Sequence, residues 1–128
     1  GTVSGNITCY LYTHTGVYGT SSKPGTLLAT SGTVDITTLD TTYALVDFAF
    51  SGAEQYALGT GYYCLVVLYD VALPPNSLRV GADNSSPTHS GNASYSDDAI
   101  SWTVSAAEVC FYVFADAAAA FIPKITVL

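Results

Sequence analysis

Short apolar stretches alternate with polar, glycine-rich turns along the whole chain. The stretch NITCYLYT at residues 6–13 places Ile7, Cys9 and Leu11 on alternate positions, with polar or aromatic residues between them. A period of two predicts a strand that is buried on one face. The stretch YYCLVVLY near residues 62–69 is apolar on both faces, which predicts a central strand.

The same pattern predicts eight or nine short strands, with turn signals between them and almost no helical periodicity. Besides residues 6–13, the predicted strands are 26–30, 33–37, 43–50, 59–70, 77–83, 99–104, 108–115 and 121–128. This arrangement favours an all-β fold, an antiparallel jelly-roll-like β-sandwich. The expected core positions are Leu45, Leu65, Val67, Val104, Phe111 and Val113.

Composition narrows the class of protein. Hydrophobic residues make up 49% of the chain and charged residues 10%, a balance that predicts a folded domain. The net charge is −7, and the basic residues Lys23, Arg79 and Lys124 are scattered, so no nucleic-acid partner is expected. No apolar run approaches the ~18 residues of a membrane span, and none is predicted.

Three Asn-x-Ser/Thr triplets point to the cell exterior. They begin at Asn6, Asn84 and Asn92, which we predict to carry glycans. The polar stretch NSSPTHSGNAS around Asn84 and Asn92 predicts an exposed loop. Scarce lysine and abundant serine, threonine and tyrosine agree with an extracellular or cell-surface location.

The cysteines leave two alternatives open. Cys9, Cys64 and Cys110 each lie in a strand-like apolar run, and none forms a Cys-x-x-Cys pair. They are either three buried thiols or one thiol and a disulfide between Cys64 and Cys110.

No catalytic residue, metal ligand or cofactor is predicted, so the chain is not expected to be an enzyme. His14 and His89 lie in loop-like sequence without a nucleophile motif beside them. Asp97 and Asp98 either bind calcium together with Asp83 or form a turn with Asx hydrogen bonds, and we favour the turn.

A family resemblance rests on five stretches that occur in the family's order. They are KPGTLLATSG, YALGTGYYCLVV, RVGADNSSPTHSGNASYS, SW and VCFYVF. Together they resemble the choice-of-anchor R-like β-sandwich domains of bacterial and archaeal surface proteins and phage structural proteins. The resemblance runs from about Ile7 to Ala115, and Ala99-Ile100 stand where the family pattern has paired glycines. It implies a sandwich fold at a surface and no agreed activity.

Both ends of the chain depart from that pattern. The relatives open with a further apolar strand, and they stop soon after the stretch equivalent to CFYVFA. We therefore divide the chain into a β-sandwich domain at 1–116 and a connector with an apolar strand at 117–128. The predicted assembly residues are Phe121, Ile122, Pro123, Ile125, Val127 and Leu128.

The predicted function is that of a structural subunit in a filament, sheath or surface layer. Its partners would be copies of itself, joined head-to-tail because the strand at 121–128 completes the sandwich of a neighbour. The alternative for this strand is to fold back beside residues 5–13 of its own domain.

A second functional class is a carbohydrate-binding module with glycans as partners. Tyr10 and Tyr12 lie opposite the apolar face of their strand, and Trp102 is the single tryptophan. Aromatic rings of this kind stack on sugars, whereas ordinary cross-strand packing or subunit contact is the alternative role.

Overall fold

The structure is a computed structural model that describes residues 4–71, 78–83, 91–105, 107–115 and 123–127. These residues form antiparallel strands and two short 3-10 helices, Ile36–Thr38 and Gly52–Glu54, with no α-helix among them. The strands are β1 Asn6–Thr15, β2 Lys23–Thr30, β3 Val34–Asp35, β4 Val46–Ala49, β5 Tyr63–Tyr69, β6 Ala82–Asp83, β7 Ala93–Tyr95, β8 Thr103–Ser105, β9 Glu108–Val109, β10 Phe111–Ala115 and β11 Pro123–Val127. The all-β prediction is confirmed.

Strand β1 is the centre of a four-stranded sheet, called here the β1 sheet. It pairs with β5 along one edge and with β2 and β3 along the other. The register places Cys9 opposite Val67 and Leu11 opposite Leu65. Because directly opposite residues share a face, β1 and β5 combine their apolar positions on one side.

The core forms on that inner face. Ile7, Cys9 and Leu11 are buried there, as the alternation predicts, and they cluster with Phe48 of β4 and with Phe50. Burial raises the pKa of the Cys9 thiol to about 12, because the thiolate would lose its hydration.

Ser31 joins the end of β2 to this core without an unpaired polar atom. Its hydroxyl accepts the backbone N–H of Cys9 at 2.9 Å and donates to the Gly32 carbonyl at 2.7 Å. The Gly32 N–H in turn donates to the Ala49 carbonyl at 3.0 Å. The end of β2 is thereby tied both to β1 and to β4.

Strand β11 lies at the centre of a second, three-stranded sheet in the order β10-β11-β4, called here the β11 sheet. Ile125 lies opposite Val113 on one side and Phe48 on the other. The strand therefore pairs within its own chain, with β10 and β4 rather than with residues 5–13. Two smaller antiparallel pairs, β6 with β9 and β7 with β8, complete the described strands.

The predicted core was only partly right. Leu65 and Val67 pack against the buried cluster, as expected. The other four positions are exposed, at 55% for Leu45, 44% for Val104, 39% for Phe111 and 44% for Val113. These four positions were predicted from alternation alone. The buried cluster is formed mainly by residues of β1 and β4, and these four positions are not part of it.

The three cysteines are free thiols in the structure. Cys64 lies in β5, and Cys110 precedes β10, where its backbone N–H donates to the Gly81 carbonyl at 3.1 Å. Of the two alternatives that the sequence leaves open, the structure has the unpaired thiols, and no disulfide joins Cys64 to Cys110 in it. Partial burial also raises the pKa of the Cys64 thiol.

Within the described ranges, no helix has the length and apolar character needed to cross a membrane.

Two leucines test the position of the core with the same substitution. Leu11 is 3% exposed and Leu45 is 55% exposed. We expect Leu11→Ala to lower the free energy of unfolding by ~2–5 kcal/mol, because it leaves a cavity in the core. Leu45→Ala should cost about 1 kcal/mol or less. Denaturant unfolding of both variants measures the difference, and equal losses would show that the core is misplaced.

Candidate functional site

Two aromatic side chains of β1 emerge on the outer face of the β1 sheet. The register places Tyr10 opposite Val66 and Tyr12 opposite Cys64, on the side away from the core. The Tyr10 and Tyr12 rings lie 6.4 Å apart at 49°, which is the spacing of two residues along a strand. This face forms a cleft of about 470 Å³, called here the aromatic cleft. It is lined by Tyr10, Tyr12, Lys23, Pro24, Gly25, Val66, Leu68, Ala99, Ile100 and Trp102.

The far wall of the aromatic cleft is a turn organised by Asp98. One carboxylate oxygen of Asp98 accepts the backbone N–H groups of Ser101 at 2.7 Å and Ile100 at 2.8 Å. The hydroxyl of Ser96 donates to the same oxygen at 2.9 Å. These are the Asx hydrogen bonds that we favoured over a calcium site. Together with Ala99, whose φ of 57° is left-handed, they fix the turn that carries Ile100 and Trp102.

A second aromatic group lies at the end of β1. The rings of Tyr18 and Tyr62 stack at 3.8 Å, and the His14 ring meets both of them edge-on at 6.0 Å and 5.8 Å. Gly16, at φ 84°, permits the turn that carries Tyr18, because a Cβ at this position would overlap the Ser21 carbonyl oxygen.

The His14 ring also contacts a serine hydroxyl. Its Nε2 lies 3.0 Å from the Ser22 hydroxyl. The second histidine, His89, lies outside the described residues.

The predicted glycosylation residues occupy different settings. The Asn92 side chain is partly buried, because its oxygen accepts the Ser22 N–H at 3.1 Å and its nitrogen donates to Ser94 at 3.0 Å. Asn92 lies just before β7, outside any strand, and is half-buried, so its glycosylation stays a prediction. Asn6 begins β1, and its side-chain nitrogen donates to Asp70 at 3.2 Å. Asn84 lies outside the described residues.

The predicted assembly strand is described at its centre only. Pro123, Ile125 and Val127 lie in β11. Phe121, Ile122 and Leu128 lie outside the described residues. The strand is hydrogen-bonded on both edges, so β10 and β4 are neighbours only through it.

The described part of the chain contains no group of three or more His, Cys, Asp or Glu residues placed to hold a metal ion. A larger cavity of about 770 Å³ lies beside β4, between the segment from Ile36 to Val46 and the segment from Leu78 to Val80. Its walls combine core side chains such as Ile7 and Phe48 with polar residues of the 37–42 segment and with Arg79.

The structure brings Trp102 to the same cleft as Tyr10 and Tyr12, from which it is distant in sequence. These three were considered as sugar-binding residues. Sequence reasoning missed the turn residue Ile100, which is 82% exposed at the rim. It also missed the stacked partner of Tyr18, Tyr62, which precedes β5. The alternation in β5 could have predicted which of its residues line the cleft, because positions 64, 66 and 68 lie on the same outer face as Tyr10 and Tyr12.

Comparisons with known proteins add no relative: no protein-family model matches the chain, and neither does any curated protein or solved structure. The resemblance to choice-of-anchor R-like domains stays a prediction.

The stability of the Asp98 turn should depend on pH. Hydrogen bonds from the Ser101 and Ile100 N–H groups, and from the Ser96 hydroxyl, lower the pKa of Asp98 from 3.8 to about 2. The ionised carboxylate therefore stabilises the turn above pH 3.8, and this contribution is lost as the pH falls from about 3.8 to about 2.

Carboxyl-detected NMR titration measures this pKa directly. The Asp98 signal should have a midpoint near 2. A Ser96→Ala variant, which lacks one of the three donors, should move the midpoint upward. An Asp98 midpoint at the ordinary value in the unmodified chain would contradict the turn described above.

Proposed function

We propose that the chain is a structural subunit that polymerises head-to-tail, with β11 of one copy completing the β11 sheet of the next. The role is structural rather than catalytic. The observation that carries the proposal is the central place of β11, with β10 on one side and β4 on the other. A strand in this place can be supplied by the same chain or by a neighbour, because the hydrogen bonds are the same in both cases.

The hydrogen bonds of β11 explain why the space between β10 and β4 needs a strand. Without β11, the facing edges of β10 and β4 would each present a row of unpaired N–H and C=O groups. Five residues of β11 pair with β10, and four of them also pair with β4. Exchange of β11 between copies keeps all these hydrogen bonds and changes only which chain supplies the strand.

Apolar exposure around the β11 sheet supports a contact between subunits. Phe111 and Val113 of β10 are 39% and 44% exposed, and they lie opposite Val127 and Ile125 of β11. Tyr43, which approaches β4 in sequence, is 72% exposed. Exposed apolar residues grouped in this way are typical of interaction surfaces.

The proposal includes the finer features expected from the sequence. These are a jelly-roll-like sandwich with the β1 and β11 sheets as its layers, and a filament, sheath or surface layer outside the cell. The packing of Phe48 from β4 against Ile7, Cys9 and Leu11 of β1 supports the layered arrangement. The triplets at Asn6, Asn84 and Asn92 support the location, and the resemblance to surface-protein domains agrees with it.

Cysteine crosslinking tests strand exchange. Thr126 of β11 lies opposite Asp47 of β4. Directly opposite residues have Cα atoms about 4.5–5.5 Å apart, within the range of a disulfide. A Thr126→Cys chain and a size-tagged Asp47→Cys chain, both with Cys64→Ser and Cys110→Ser, are unfolded, mixed, refolded and oxidised. We expect a disulfide between the two chains, and filaments in electron micrographs of the unoxidised mixture.

The control moves one cysteine along β11 and leaves everything else unchanged. Lys124→Cys replaces Thr126→Cys, and Lys124 lies opposite Ala49, two residues from Asp47. The larger separation, about 7–8 Å on the diagonal, should give much less of the crosslinked product. Strand exchange is wrong if the chain carrying both Thr126→Cys and Asp47→Cys crosslinks only within itself and the mixture yields no product between chains.

A further inference from the structure

We propose that the aromatic cleft binds an acidic glycan, with a sugar ring against Tyr10, Tyr12 and Trp102 and its carboxylate at Lys23. The inference is independent of polymerisation, because the cleft lies on the outer face of the β1 sheet and none of the described residues that line it belongs to the β11 sheet. Its volume of about 470 Å³ lies within the ~300–1,000 Å³ of small-ligand sites.

The two aromatic groups on this face differ in geometry. Tyr18 and Tyr62 stack at 3.8 Å and 17°, which covers one face of each ring, and these residues remain 37% and 57% exposed. Tyr10 and Tyr12 are tilted by 49° at 6.4 Å, and both remain partly exposed along the cleft. Open ring faces in a row offer the C–H face of a sugar ring an apolar surface.

The same residues supply unused hydrogen-bonding groups. Within the described part of the chain, the hydroxyls of Tyr10 and Tyr12 and the indole N–H of Trp102 make no hydrogen bond. Tyrosine and tryptophan combine an apolar ring with a polar group in this way, and sugars carry both kinds of surface. An aliphatic ligand would use the rings and leave these groups unpaired.

Charge selects the acidic class of sugar. Among the described residues that line the cleft, Lys23 is the only charged one. It is exposed and has no ion-pair partner among the described residues. The nearby Asp98 carboxylate already accepts three hydrogen bonds from its own turn. A carboxylate on the ligand is therefore the complementary partner for the Lys23 ammonium group.

The cleft wall is fixed before any ligand arrives. The Asp98 hydrogen bonds hold the segment from Ser96 to Ser101, and Trp102 follows directly in the chain. A preformed wall lowers the entropic cost of binding, since the tryptophan does not have to be ordered by the ligand.

The test uses the full chain and two probes of similar length, tetragalacturonic acid and neutral cellotetraose. Trp102 is the single tryptophan, so its fluorescence reports occupation of the cleft directly. We expect the acidic probe to change this fluorescence with saturation and the neutral probe to bind more weakly. Lys23→Gln should lower the affinity for the acidic probe by about two- to fivefold, as for an exposed charge pair. The affinity for the neutral probe should change less.

Calorimetry compares the aromatic variants. Tyr10→Ala and Trp102→Ala should each lower the affinity for the acidic probe by about three- to tenfold. Tyr43→Ala is the matched control, because Tyr43 is 72% exposed and lies outside the cleft. The proposal is overturned by equal affinity for the two probes, by no saturable binding of the acidic one, or by equal losses in Tyr43→Ala and Tyr10→Ala.

Discussion

Pairing of β1 on both edges is the constraint on which the rest of the described structure depends. With β5 on one side and β2 and β3 on the other, β1 cannot shift by one residue without exchanging its two faces. On one face, Ile7, Cys9 and Leu11 lie in the core. On the other face, Tyr10 and Tyr12 line the aromatic cleft. The core and the cleft are thus two consequences of a single register.

Strand β4 connects this sheet to the β11 sheet. Phe48 is 1% exposed in the core, while the flanking positions Asp47 and Ala49 are exposed. The hydrogen bond from Gly32 to Ala49 fixes β4 to the end of β2. The β1 sheet therefore holds β4 in place, whereas β10 joins β4 only through β11. Because of this asymmetry, we propose β11 as the strand that neighbouring copies exchange.

The sequence predicted what local alternation controls. The strand at β1, its buried and exposed faces, and the all-β class all follow from a period of two and from turn residues. Alternation failed at Phe111 and Val113, because it cannot tell which apolar face of a strand has another layer over it. The Asp98 turn was predicted as an Asx turn. Its place beside Tyr10 depends on contacts between distant segments, such as the hydrogen bonds that join Ser22 to Asn92 and Ser94. The partners of β11 were likewise set by tertiary pairing, which no local pattern contains.

The central claim is that β1 belongs to a permanent core and β11 to an exchangeable part of the fold. Residue-resolved hydrogen exchange of the native chain tests it most directly. The amides of β1 around Cys9 and Leu11 should exchange only through global unfolding, whereas those of β11 should exchange through an opening of lower free energy. Equal protection of β11 and β1, with the same dependence on denaturant, would contradict the account.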